Sequence, residues 1–403
     1  MLFAVHPIQV EPVAWVTGFR DLLCGLFSLL AIHQYIVAFD LKDDARQHRA
    51  LHAVAAVLAY LAAMLCKPTA ACLPLVLAAI DYLLLRRPAR RVVVSVVPMM
   101  IAAIPVVIIS RMAQPTELQA AAAPLWSRPF IAGDALMFYL WKLFIPLGLA
   151  MDYGRRPQIV LAHQWIYASW IIPAAAGIVI WILSRRGAQY LVAGAAIMLA
   201  ALLPVLGLIP FNFQAFSTVA DRYMYLAMLG PAVALTGFLS KQRGLAACGL
   251  ATALVLMLGI VAHRQVWVWR DDTMLYPHTI AINPDSFTAN NNLAAVLLER
   301  GRPTEAIEPA RRAVRISPGF ALAWINLADA LAAVGRDKDA INAYRTALTI
   351  QPNHAAARAK MALALASAGD IEAARQEYER AVRDDPNQRA VELQLEQKIR
   401  APH

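Results

Sequence analysis

The chain has little of what a soluble enzyme uses. Only 16% of its residues are charged, and its mean hydropathy of +0.52 lies outside the soluble globular range. Its four cysteines, Cys24, Cys66, Cys72 and Cys248, sit in or beside apolar stretches with no metal or redox spacing, and read as core filler. There is no Walker loop, dinucleotide fingerprint, zinc motif or nucleophile elbow, so those chemistries have no residues to act through and no metal is expected. Met1 is followed by Leu2, Phe3 and Ala4 without a basic n-region, so no signal peptide is read, and the chain is expected to start inside a longer arrangement. The net charge of +10 gathers in loops between apolar stretches, not in a basic tail, which argues against a nucleic-acid partner.

What the chain does have is a ladder of prolines. Pro284, Pro318, Pro352 and Pro386 stand 34 residues apart, the period of the tetratricopeptide unit. Three units follow, 287–320, 321–354 and 355–388. The second carries Trp324, Leu327, Ala328, Leu331, Gly335, Ala340, Tyr344 and Ala347, and the third Met361, Ala362, Leu365, Gly369, Ala374, Tyr378 and Ala381. Small residues let paired helices approach, glycine allows a left-handed turn between them, and proline ends the second helix. Pro309 falls inside the second helix of the first unit, where a kink is expected at a cost of about 3 kcal/mol. Residues 266–286 read as a connecting cap with a helix over Trp269 to Ile282, and 389–403 as a polar terminal cap helix.

Residues 1–265 are predicted to be a polytopic membrane domain. Eight apolar runs have spanning length: Leu22 to Phe39, Ala50 to Cys66, Thr69 to Leu85, Val92 to Ser110, Ile166 to Leu183, Gln189 to Ile209, Tyr223 to Leu239 and Leu245 to Ala262. A ninth, Phe130 to Ala150, is interrupted by Lys142, Pro146 and Gly148 and is expected to lie at the interface or re-enter. The basic loops (Lys42, Arg46, Arg49; Arg86, Arg87, Arg90, Arg91; Arg185, Arg186; Lys241, Arg243) then fall on one side, the cytoplasm, with the repeats outside or in a lumen. The predicted class is all-α, a transmembrane helix bundle followed by a tetratricopeptide-repeat solenoid.

Four polar groupings offer chemistry, each with a plainer alternative. In HPIQVEPVAWVTGFRDLL, the residues His6, Glu11, Arg20 and Asp21 either bind a sugar and act as acid and base, or anchor an interfacial helix together with Trp15. Lys67, in a tight turn between two spans, either holds a lipid phosphate or snorkels from a helix end. Asp221 and Arg222, followed by Tyr223 and Tyr225, either cap and anchor a helix or present an arginine fork to a phosphate. Lys142 and the pair Asp152, Tyr153 bracket the ninth run as amphipathic anchors, and Asp271 and Asp272 read as a helix N-terminus.

HPIQVEPVAWVTGFRDLL, the CKP turn at Lys67, YLWKLFIPLGLAMDY, ADRYMYL and WRDDTMLYPHTIAINPDSFTANNNLA occur in that order and run into the repeats. In this the chain resembles the transmembrane and tetratricopeptide-repeat O-mannosyltransferases and their bacterial relatives over essentially its whole length. The resemblance implies a membrane glycosyltransferase of the C-type fold. Its donor would be a polyprenyl-phosphate sugar, a substrate and not a cofactor, with transfer on the outer or lumenal face and repeats that recruit the acceptor. Such enzymes carry their key acidic residue in a long first outer loop after an N-terminal span, upstream of the part matched by His6 and Glu11. This sequence shows neither, so it is expected to be a fragment or a version without catalysis, and Glu11, Asp21 and Asp221 are catalytic candidates by position only.

In the repeats, the sixth position of each unit holds Asn292, Asn326 and then Lys360. The two asparagines resemble the ladder with which sugar-transferring repeat proteins hold a peptide backbone, since an amide both donates and accepts. Two functions follow: a glycosyltransferase working from a lipid-phosphate sugar onto a protein or glycan, or a membrane-anchored scaffold for protein partners. Eight spans exceed what an anchor requires.

Overall fold

The computed structural model describes residues 1–40, 46–113, 123–242 and 244–400. Lys42 and Arg243 of the basic loops, and the last three residues of the terminal cap, lie outside the described residues. Among the described residues there are helices, turns and loops and no strand. The chain divides into two compact units, Met1–Arg270 and Asp271–His403.

The first unit is that of a membrane protein. Among the described residues, five of its helices are long and apolar enough to cross a bilayer: Val16–Phe39, Gln47–Cys66, Ala89–Met112, Gln164–Arg185 and Ala246–Val268. No more than 33% of the apolar window in any of them is buried in the protein. Outward residues such as Ile101, Ile109, Leu250 and Leu256 present the surface that lipid would cover.

The other three predicted spans are shorter and broken, each beside a proline. Thr69 to Leu85 begins with a 3-10 turn, Pro68–Cys72, continues as a helix, Leu73–Ala79, and ends in a π turn, Ile80–Leu84. Gln189–Leu202 tightens into a 3-10 turn at Leu203–Val205, where Pro204 has no N–H to extend the ladder. Tyr223 to Leu239 opens with the turn Asp221–Tyr223, passes through one helical turn, Met224–Ala227, and continues as the helix Leu229–Leu239, with Pro231 in its first turn.

The ninth run is helical over Arg128–Phe144 and packs inside the bundle. Ile131, Asp134, Ala135, Tyr139 and Lys142 are buried on it. Lys142, in the last turn of this helix, holds the loop that follows by donating to the carbonyls of Leu147 (2.5 Å) and Gly148 (3.0 Å).

Helices in lipid gain little from burying apolar surface against one another, so close packing holds them together. Tyr60, Met64, Leu73, Leu77 and Tyr139 fill the centre without exposed area. Helices Gln189–Leu202 and Leu229–Leu239 meet at Gly194 and Gly230, where a Cβ on Gly230 would lie 2.2 Å from the Gly194 carbonyl oxygen. Only glycine fits there.

The second unit is the solenoid. Its helix pairs are Phe287–Glu299 with Pro303–Ile316, Ala321–Ala333 with Asp337–Ile350, and Ala355–Ser367 with Ile371–Asp384. The turn within each pair passes through Gly301, Gly335 or Gly369 at φ +68°, +76° and +88°, the left-handed conformation expected from the spacing. Pro303–Ile316 remains helical through Pro309. The preceding cap helix starts at Asp272, with Asp271 as its N-cap, and Arg300 of the first repeat pairs with Asp271 at 2.8 Å.

One contact recurs at the same place in all three repeats. Six residues after the ladder proline, a side chain donates to that proline's carbonyl: Asn290 to Pro284 (3.0 Å), Trp324 to Pro318 (2.8 Å) and Arg358 to Pro352 (2.7 Å). An amide, an indole and a guanidinium thus close the same turn.

Candidate functional site

The N-terminal residues form a chain of short turns ahead of the helix Phe19–Asp40, and two prolines shape them. Pro7 starts the 3-10 turn Pro7–Gln9, for which His6 is the N-cap. The His6 Nδ1 accepts from the Ile8 N–H at 3.3 Å, which leaves Nε2 as the protonated nitrogen, 3.1 Å from the Leu143 carbonyl oxygen. Burial pushes the His6 pKa below its ordinary value. Both ring nitrogens are engaged in holding the turn.

Glu11 follows in the helix Val10–Ala14 and is fully buried. Its Oε2 accepts from the Arg222 backbone N–H at 2.8 Å and its Oε1 from the Arg222 Nη1 at 2.5 Å. The guanidinium lies 4.0 Å from the centre of the Phe213 ring and 5.2 and 5.3 Å from those of Tyr223 and Trp15. Burial works hardest against the Arg222 charge, but Glu11, Tyr223 and Asp21 together outweigh it and raise its pKa. Asp221, the next residue back, is buried as well, with Oδ1 accepting from the Tyr153 hydroxyl at 2.7 Å. Burial, reinforced by the Glu11 charge, holds the Asp221 carboxyl well above the usual carboxylate range.

Asp21 and Lys67 form an ion pair. Asp21 stands in the first turn of Phe19–Asp40, and Lys67 caps the 3-10 turn Pro68–Cys72. The Lys67 ammonium sits 5.4 Å from the centre of the Tyr223 ring, so one tyrosine lies between two cations.

These residues surround a cleft of ≈ 420 Å³, counting its open mouth, lined by Asp21, Lys67, Arg222, Tyr223 and Tyr225 with apolar neighbours. A Cβ on Gly25, also in the wall, would come 2.3 Å from the Tyr225 ring. Two cations, one of them held by a buried carboxylate, one cleft-facing carboxylate and aromatic walls suit an anionic ligand that also carries a ring or chain.

The cleft thus joins three of the four sequence groupings. It brings Asp21, Lys67, Arg222 and Tyr223 together, leaves Glu11 behind Arg222, and does not include His6, Arg20 or Asp221 in its lining. Arg20 is exposed. In the solenoid, Asn326 donates to the Asn291 side-chain oxygen at 3.0 Å, Asn292 accepts from Asn291 at 3.2 Å, and Lys360 pairs with Asp329 at 2.7 Å.

Two ion pairs on buried aspartates escaped the sequence reading. Asp134 pairs with Arg155, whose guanidinium also lies over Phe138 and Trp165. Asp81 receives Arg87 at 2.7 Å and the Tyr35 hydroxyl at 2.5 Å. An aspartate inside an apolar run was the available signal, because such a charge needs a partner.

Comparison with known proteins supplies the family context. Tetratricopeptide-repeat family models match residues 288–330 and 335–398. A protein O-mannosyl-transferase of Caenorhabditis elegans is 22% identical over 335 residues, 79% of this chain and 46% of the worm protein. Protein O-mannosyl-transferase Tmtc2 of Drosophila melanogaster is 30% identical over 147 residues, 34% of this chain and 15% of its own. This chain therefore spans less than half the length of these relatives. The solved structure of MamA from Desulfovibrio magneticus is 18% identical over 40% of this chain and 88% of its own, at a TM-score of 0.28.

Proposed function

We propose that this chain, a relative of the transmembrane and tetratricopeptide-repeat O-mannosyl-transferases, is the body of a membrane glycosyltransferase that takes its sugar from a polyprenyl phosphate. The observation that supports this most is the convergence of Lys67 and Arg222 on one cleft beside Asp21 and Tyr223. A lipid-linked donor stays in the bilayer, so its phosphate must be met by cations at the membrane boundary. In transfer, the bond from the anomeric carbon to the phosphate oxygen breaks, one to the acceptor oxygen forms, and the hydroxyl proton passes to a carboxylate base. The departing phosphate keeps the electron pair, and fixed positive charge beside it lowers the barrier.

Within this reading Arg222 is the fixed cation and Glu11 its positioning residue. Asp21 is the carboxylate that faces the ligand. The work takes place on the outer or lumenal side, and the solenoid receives the protein or glycan acceptor, with Asn292, Asn326 and Lys360 as peptide contacts.

The test is sugar transfer from a polyprenyl-phosphate donor by this protein, with and without Lys67→Ala and Arg222→Ala. Each substitution is expected to lower turnover by about 100-fold or more, the scale of losing one fixed charge-stabilising group. Wild-type turnover in both variants would take the cleft out of the reaction and leave a membrane-anchored repeat scaffold as the better account.

A further inference from the structure

The two cations of the cleft are neutralised in different ways. Arg222 is tied to Glu11 through its backbone N–H as well as its guanidinium, and the two side chains are 9% and 0% exposed. Two hydrogen bonds hold that contact, one of them to the backbone of the turn Asp221–Tyr223. Lys67 meets Asp21 through side chains alone, 22% and 11% exposed, at the cleft wall. Each partner is anchored at a helix or turn start, and a change of rotamer separates them.

Two positive and two negative groups leave the unliganded cleft near neutrality. An anion entering it finds Arg222 fixed in place by Glu11, a charge that acts on it without changing partner, and Lys67 as the cation it can take over by exchange. To claim it, the anion must take the place of the Asp21 carboxylate.

We infer that Asp21 is a place-holder for the ligand phosphate: it occupies Lys67 while the cleft is empty and is displaced when the phosphate of the donor binds. The inference rests on the phosphate-site reading of the cleft and adds the exchange to it. Asp21 then competes with the ligand, so removing its charge strengthens binding, the opposite of what loss of a ligand contact does. The Tyr223 ring beside Lys67 keeps the ammonium in place during the exchange.

The experiment measures binding of a short-chain polyprenyl phosphate, and separately of inorganic phosphate, to the purified chain in detergent. The proteins compared are wild type, Asp21→Asn, Asp21→Ser and Lys67→Ala. Wild type is expected to bind the lipid phosphate and Lys67→Ala to lose that binding. Both Asp21 variants are expected to bind it about three- to tenfold tighter, the scale of freeing a partly exposed ion pair. Gains with inorganic phosphate alone would support the exchange and identify free phosphate as the ligand. Unchanged or weaker binding in both Asp21 variants, with wild type binding and Lys67→Ala not, would overturn the exchange and leave the phosphate site standing. No binding of either probe by wild type would overturn the site reading and the exchange with it.

Discussion

Glu11 and Arg222, 211 residues apart in sequence, are joined by two hydrogen bonds, one to the arginine backbone at 2.8 Å and one to its guanidinium at 2.5 Å. The N-terminal turn is thereby fastened to the turn at Asp221–Tyr223, and the direction of the arginine is set from behind. A single carboxylate serves the fold and the cleft at once.

Removing that charge should be costly. Glu11→Gln leaves a guanidinium in the protein interior without its counter-charge, a loss of about 3–5 kcal/mol for a broken buried pair. The measured midpoint of thermal unfolding in detergent should fall further for Glu11→Gln than for Asp21→Asn. Equal midpoints would mean that the two pairs are alike in burial, against the fold described above.

The hydrogen bonds to the repeat prolines predict a local effect. Trp324→Phe keeps the ring and deletes the N–H that reaches the Pro318 carbonyl. The lost bond is worth about 1 kcal/mol. Amide exchange at Gly319 and Phe320 should speed up roughly fivefold, with little change in the helix Asp337–Ile350. No change at the turn would mean that the indole contact adds nothing.

Side-specific labelling tests the topology read from the basic loops. Gly319, with open space around the position where a side chain would be, accommodates Gly319→Cys in the Pro318 turn. In intact cells this cysteine should react with a membrane-impermeant thiol reagent beyond the level of the native protein. Reaction only after lysis would place the repeats on the cytoplasmic side.

The repeats were legible because a period of 34 residues fixes many positions at once, and each glycine turn appears where the spacing requires it. The membrane unit was legible as composition and only partly as helices. Apolar content does not reveal that Pro204 or the turn at Pro68 shortens a run. For the cleft, Lys67 and Arg222 could be singled out as cations in tight turns, yet their meeting depends on tertiary pairing. The partners Asp21 and Glu11 lie 46 and 211 residues away, beyond any local rule. The same holds for Asn326, whose amide donates to the Asn291 side chain of the preceding repeat, a contact that residue type alone does not give.

The crossing at Gly194 and Gly230 bears on how the cleft can breathe. The helix with Gly194 continues into Ala201 and Val205, one part of the cleft wall, and the helix with Gly230 follows directly from Tyr223, Tyr225 and Leu226, another part. With backbone resting on backbone and no side chain between to rearrange, these two walls travel as a single jaw. Widening the cleft therefore falls to the opposite jaw, the Phe19–Asp40 helix start and the Lys67 turn, which the ion pair between Asp21 and Lys67 ties to one another.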